Sequence, residues 1–341
     1  MQNKLTHGPL LDSNGNLVEA GYSTELIREY SRDQIKANSL RIKEWDYYYV
    51  GNKNFGIALT IADNSYMSMV SVSLLDFSKK EDTTKSEIKF FSKGKLHLPN
   101  TSKEGDIRVT YKNLDIAFLH ENGKRHLTLS YKAFKDEKDL RADIYLTETN
   151  EDSMVIATPF EKKRHFYYNQ KINLLAANGY VKLGDDYYDL TPDSYGVLDW
   201  GRGVWTYKNT WYWASMNGET SKKEKIGFNL GYGFGDTSKA SENMFFYNNS
   251  SFKLEDVRFN IPIDSKGKFD YLSPWTLVSE SGDINITFNP VLNRKANMNF
   301  VILASIQNQV FGTFTGYVIV EGKKISFFDI PGFAERVFNK W

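Results

Sequence analysis

Short stretches in which aromatic and β-branched residues alternate with polar ones recur along most of this chain, interrupted by glycine, asparagine and aspartate. Stretches 45–50, 55–62 and 66–74 follow one another across the turns 51–54 and 63–64, and the pattern resumes at 107–111, 114–120, 126–134 and 140–147. A spacing of about 8–12 residues between such runs predicts antiparallel strands of a sandwich or barrel. A second series covers 211–216, 226–234, 251–259, 284–290, 309–320 and 324–330, and 174–182 reads as a connector leading into it. Helical periodicity is confined to 25–32, capped by Ser23 or Thr24, and to 333–338, a closing helix docking through Phe333, Val337 and Trp341. The prediction is an all-β protein of two consecutive antiparallel barrels or sandwiches with few short helices. A turn-rich lead-in occupies 1–40, a first barrel 41–175 and a second barrel 176–341.

Length supports the division, since 341 residues exceed the size at which one hydrophobic core stops growing. Lys and Arg number 43 against 42 Asp and Glu, a net charge of +1 that leaves no electrostatic footprint for nucleic acid or an anionic membrane. There is no cysteine, which excludes disulfides, thiolate metal sites and a cysteine nucleophile. Residues 1–9 lack the apolar run of a signal peptide, and no apolar stretch reaches the roughly 20 residues of a membrane span. The expectation is a cytoplasmic, soluble protein. Neither a phosphate-loop pattern nor a dinucleotide fingerprint occurs, so no cofactor is expected. The histidines, His7, His97, His120, His126 and His165, never stand two or four apart, and no metal site is expected.

Candidate chemistry concentrates in 197–207, followed at once by Trp211-Tyr212-Trp213. Along an extended strand Asp199, Gly201, Gly203, Trp205 and Tyr207 share one face, while Trp200, Arg202 and Val204 share the other. If the glycines break the strand, Arg202 folds back onto Asp199. In the functional reading Asp199 is a proton donor or base, Arg202 sets its charge, and Tyr207 completes a catalytic set. Trp45, Trp200, Trp205, Trp211 and Trp213 then wall a ligand cavity. In the structural reading Asp199 and Arg202 form a buried pair that joins two sheets. A second glycine-rich strand, 226–234, has bulky residues at even positions and Gly227, Asn229, Gly231 and Gly233 at odd ones. That bare face admits a ligand or a crossing strand, with Asn229, Gly231 and Gly233 as candidate ligand contacts; Glu242 and Asn243 are placed to turn toward the same region.

Several of these blocks carry a resemblance. Gly8-Pro9-Leu10-Leu11 with Gly21-Tyr22, Lys43-Glu44-Trp45-Asp46-Tyr47-Tyr48, and Thr60-Ile61-Ala62-Asp63-Asn64-Ser65-Tyr66 resemble the opening motifs of the uncharacterised DUF2804 family. Asp199-Trp200-Gly201-Arg202-Gly203-Val204-Trp205-Thr206-Tyr207 is similar to its central signature, in which proline more often stands at the place of Thr206. Residues 231–236, 311–316 and 332–335 resemble its later blocks. The resemblance implies two lipocalin-like β-barrels, near AttH and carotenoid 1,2-hydratase-like proteins, a group that includes hydratases, cyclases and lipid-binding proteins. It transfers no catalytic residue. Three readings follow: a binder of a hydrophobic, lipid-like small molecule in an aromatic-lined barrel cavity; a cofactor-free hydratase, lyase or isomerase acting on a carbon–carbon double bond with Asp199 as general acid; or a structural protein whose signature only joins the two barrels. Oligomeric state is left open.

Overall fold

The computed structural model describes residues 2–300 and 303–340, which form two large antiparallel sheets. Ten strands carry the site: β1 (Ile42–Gly51), β2 (Phe55–Asp63), β3 (Met67–Asp76), β4 (Phe166–Leu183), β5 (Tyr195–Val204), β6 (Lys208–Glu219), β7 (Lys225–Tyr232), β8 (Ile284–Phe300), β9 (Leu303–Val320) and β10 (Lys323–Lys340). In the first sheet β3, β2, β1, β5 and β4 lie side by side, extended by Glu81–Phe90 beyond β3 and by four strands from 107–148 beyond β4. In the second, β7, β6, β10, β9 and β8 are neighbours. Among the described residues no helix is long and apolar enough to cross a membrane.

Each sheet curls around its own core. In the first, Ile57, Leu59, Leu127, Leu129 and Ile144 pack inward. Its edge strand Glu81–Phe90 reaches back to the strand Lys124–Lys135, with Lys85 Nζ donating to the Ala133 carbonyl at 2.7 Å and Tyr131 Oη donating to Glu87 at 2.9 Å. Phe228, Trp275, Phe288 and Phe314 fill the second. The outer faces of the two sheets then pack against each other through two clusters, one of Tyr47, Tyr49, Val197, Trp213, Phe311 and Phe333 and one of Met154, Tyr167, Leu174, Trp205 and Phe234, with Trp45 and Trp211 packed against both. Strands β1, β2 and β5 are therefore buried on both faces, which is why β2 reads as an almost unbroken apolar run, while the charged residues of β1 and β5 are buried with partners.

The sheets change over later than residue 175. β4 runs through 174–182 without ending, and β5, which carries Asp199–Val204, still belongs to the first sheet. The signature thus closes the first sheet, and the crossing to the second is made by residues 205–207. What marks 174 is a bulge: the pairing of β4 with β5 shifts between Ile172 and Leu175, and Leu174 has φ of 57°. The extra residue turns Asn173 across the seam, where its Nδ2 donates to Ser215 Oγ at 2.9 Å, Asn217 Oδ1 at 2.9 Å and the Phe228 carbonyl at 3.0 Å. Asn173→Ala removes this donor from the seam, although Asn217 Oδ1 still accepts from the Leu174 amide at 2.8 Å. It is expected to cost about 1–3 kcal/mol, seen as a lower midpoint in equilibrium denaturation.

Neither expected helix forms. Residues 25–32 instead hold a two-residue strand, Arg28–Glu29, because tertiary partners claim the backbone: Tyr168 Oη accepts from Arg28 N at 3.3 Å and donates to Arg28 O at 3.0 Å. Leu10 and Leu11 of the lead-in are buried in the first core, and Gly21–Ser23 pairs with Met154–Pro159. At the other end 333–338 lies within β10, paired to both β6 and β9. Phe333 and Val337 are buried there as strand residues, and Trp341 lies outside the described residues.

Candidate functional site in the seam between the sheets

A cavity of about 190 Å³ opens between the two sheets, lined by β1–β6, β8–β10 and the segment after β7. It lies in neither barrel interior, since both are packed with side chains. For scale, an engineered apolar cavity of about 150 Å³ takes up benzene.

Strand alternation builds its aromatic wall. β5 continues straight through its glycines, so Asp199 and Trp205 face the seam and Trp200 and Arg202 face the first core. The room left by Gly201 is filled by the indole of Trp45 on the paired strand: a Cβ on Gly201 would lie 1.9 Å from Trp45 Cζ2. Trp45 stacks on Tyr167 with centroids 6.0 Å apart and meets Trp205 edge-on at 5.0 Å. Phe234 contacts Trp205 at 4.6 Å, Trp211 at 5.2 Å and Tyr167 at 4.5 Å. Trp213 completes the wall beside Tyr47.

Polar groups stand at defined points around this wall. Asp199 accepts a hydrogen bond from Asn169 Nδ2 at 2.5 Å and pairs with Lys171 Nζ at 3.2 Å; that ammonium also sits 3.8 Å from the centre of the Trp213 ring. Glu335 on β10 accepts from Trp211 Nε1 at 2.8 Å and Gln309 Nε2 at 3.1 Å. Burial nevertheless pushes its carboxyl up to about 7, aided by the charge of Asp199 and opposed by those hydrogen-bond and cationic neighbours. Glu242 is also pushed up to about 7, first by burial and then by Asp199, against the pull of Lys171 and Lys253. Its side chain lines the cavity at 5% exposure, and no described residue hydrogen-bonds its carboxyl.

The sequence-predicted residues divide accordingly. Asp199, Trp45, Trp205, Trp211 and Trp213 come together at the cavity. Arg202 does not meet Asp199; it pairs with Asp46 at 2.9 Å and lies over Trp200, inside the first sheet. Trp200 is a core residue packed by Tyr30 and Tyr168. Tyr207 is 45% exposed in the crossing between the sheets and does not line the cavity.

The bare face of β7 is covered by protein. Asn229 accepts from Trp213 Nε1 at 2.6 Å and donates to the Glu242 carbonyl at 2.7 Å, which makes it a positioning residue for both. The amide of Gly231 donates to Asn243 Oδ1 at 2.8 Å, and a Cβ there would lie 3.4 Å from Glu242 Oε2. Gly233, with φ of 89°, turns the chain out of the strand. The glycines thus make room for a returning loop, and that loop delivers Glu242.

Glu242 turns to the cavity as the polar run after β7 suggested, whereas Lys171, Gln309, Arg294 and Glu335 are functional candidates that the sequence did not single out. Glu335 was masked by a helical reading of Phe333 and Val337; its strand signal is the two-residue alternation Phe333, Glu335, Val337, Asn339. Among the described residues no His, Asp and Glu side chains converge as a metal-binding group. His126 is held between Glu121 and Asp143 at 2.9 Å each and stacks on Tyr145, far in sequence from any cavity residue.

Solved structures place the fold. The chain is similar to kievitone hydratase from Nectria haematococca, with a TM-score of 0.54 and 14% identity over 97% of this chain and 98% of that one. It is also similar to a protein assigned as AttH from Nitrosomonas europaea, with a TM-score of 0.51 and 12% identity over 90% of this chain and 95% of that one. These likenesses establish the two-barrel architecture of that group. No curated protein sequence matches. The family model for the domain of unknown function DUF2804 matches residues 2–341, nearly end to end, and the chain belongs to that family.

Proposed function

We propose that the protein binds a small, mainly apolar cyclic molecule in the seam cavity and transfers a proton to it, as a hydratase, lyase or isomerase does, with Glu242 as the donor. The observation that carries this reading is the Glu242 carboxyl: buried, facing an aromatic-walled cavity, and hydrogen-bonded by no described residue. Asp199 suits the role less well, because Asn169 and Lys171 already hold its carboxylate. Asp199 with Lys171 instead fixes the local charge.

In the proposed step the π electrons of a carbon–carbon double bond take the proton from Glu242, forming a C–H bond and a carbocation. The ring faces of Trp45, Trp205 and Trp211 stabilise that cation. Addition of water, with its proton returning to the Glu242 carboxylate, gives hydration; loss of a neighbouring proton to the same carboxylate gives isomerisation. The similar fold of kievitone hydratase is compatible with this chemistry, although no residue role is carried across at 14% identity.

Native mass spectrometry of protein purified from its own cells should find a co-purifying apolar molecule. Incubated in heavy water, the wild type should convert it or label it with deuterium; return of the molecule unchanged would leave only a carrier. Because the donor must be protonated, the rate should be level at low pH and fall as pH rises through about 7. A rate that climbs through that range would point to a carboxylate acting as base.

A further inference from the structure

We infer that the cavity's ligand carries a carboxylate, held by the guanidinium of Arg294 at the solvent side while its apolar part lies against the tryptophan rings. This deepens the proposed function and rests on the cavity being a ligand site. Three carboxyl-bearing residues and two cations line the cavity. One cation is accounted for, since Lys171 pairs with Asp199 at 3.2 Å. Arg294 has no such partner: no carboxylate among the described residues stands within 4.0 Å of it. Its Nη1 donates to Ser73 Oγ at 2.7 Å and its Nη2 to Gln309 Oε1 at 2.5 Å, both neutral acceptors.

Gln309 bridges the guanidinium and the cavity acid Glu335. Its Oε1 is shared between Arg294 and Tyr47 Oη, the latter at 3.2 Å, while its Nε2 turns away to Glu335 at 3.1 Å. Asp82 and Glu335 feel the charge of Arg294 only at longer range. A strap between the sheets, from Ser73 on β3 to Gln309 on β9, accounts for two N–H bonds of the fork. The remaining donors belong to a half-buried side chain that lines the same cavity as the tryptophan rings. An arginine fork of this kind matches a carboxylate in shape as well as charge. The ligand class is therefore a small aromatic or unsaturated carboxylic acid.

Calorimetric titration with 3-phenylpropanoate and with the neutral 3-phenylpropanol tests this on the full chain. The wild type should bind the acid about ten-fold more tightly than the alcohol. In Arg294→Gln that preference should vanish while the alcohol's affinity stays within about two-fold, and Arg294→Lys should restore part of the preference. Trp205→Ala should weaken both probes, locating them at the rings. Equal binding of the two probes to the wild type would overturn the inference while leaving the cavity reading intact, as would equal weakening of both in Arg294→Gln. Binding of neither probe would overturn both.

Discussion

Asp46→Ala is expected to destabilise the protein by about 3–5 kcal/mol, because it strands a buried guanidinium. Arg202 is fully buried. Its Nη1 donates to the carbonyls of Trp45 at 2.7 Å and Gly201 at 2.9 Å, and its Nη2 to Asp46 at 2.9 Å and the Pro99 carbonyl at 2.9 Å. Trp200 lies beneath it, 4.3 Å from guanidinium carbon to ring centroid. Asp46 supplies the only carboxylate within ion-pair distance of Arg202 among the described residues. Denaturant unfolding of two variants separates charge from packing. Asp46→Ala should lose most, whereas Asp46→Leu combined with Arg202→Met should recover much of the loss, since neither then leaves a charge unpaired. If the double variant is as unstable as the single, packing rather than charge holds this point of the first core.

Glu242→Gln is expected to lower turnover by about 10²–10⁴-fold, the usual contribution of a positioned general acid, while ligand affinity changes little. Glutamine keeps the shape and polarity but has no transferable acidic proton. A folding control comes from the same variant. Burial raises the Glu242 carboxyl from an ordinary 4.5 to about 7, so the folded state holds this proton more tightly than the unfolded chain does. Its contribution to stability is full below about 4.5 and is lost as pH rises through about 7. Glu242→Gln should therefore flatten that decline, which is measurable by denaturation at several pH values. Unchanged turnover in Glu242→Gln would remove this residue from the chemistry and shift attention to Glu335.

The fold was legible in the sequence wherever alternation and turn residues agreed, and the strands from 42 to 76 illustrate this. Legibility failed where tertiary contacts overrode local pattern: the segment around Arg28, whose backbone Tyr168 claims, and the last strand, where Phe333 and Val337 mimic a helical face. The changeover between sheets was misplaced because a bulge at Asn173 and Leu174 looks, in sequence, like a break. At the site, two-residue alternation puts Asp199 and Trp205 on the cavity face, whereas Trp200, read as a wall residue, faces the first core because the strand continues through Gly201 and Gly203. Sequence alone left open the alternative in which Arg202 meets Asp199. The carboxyls Glu242 and Glu335 and the cations Lys171 and Arg294 converge from separate strands and a loop, a relation that no local spacing encodes.

Carbon-detected NMR of glutamate side-chain carboxyls, recorded on the wild type and on Glu242→Gln across pH 4 to 9, shows whether the cavity holds a protonated carboxyl at neutral pH. The account predicts two carboxyls titrating near 7, those of Glu242 and Glu335, with one absent from the variant. Every glutamate titrating at or below the ordinary value of 4.5 would contradict it, because Glu242 would then be a carboxylate with no proton to give at neutral pH.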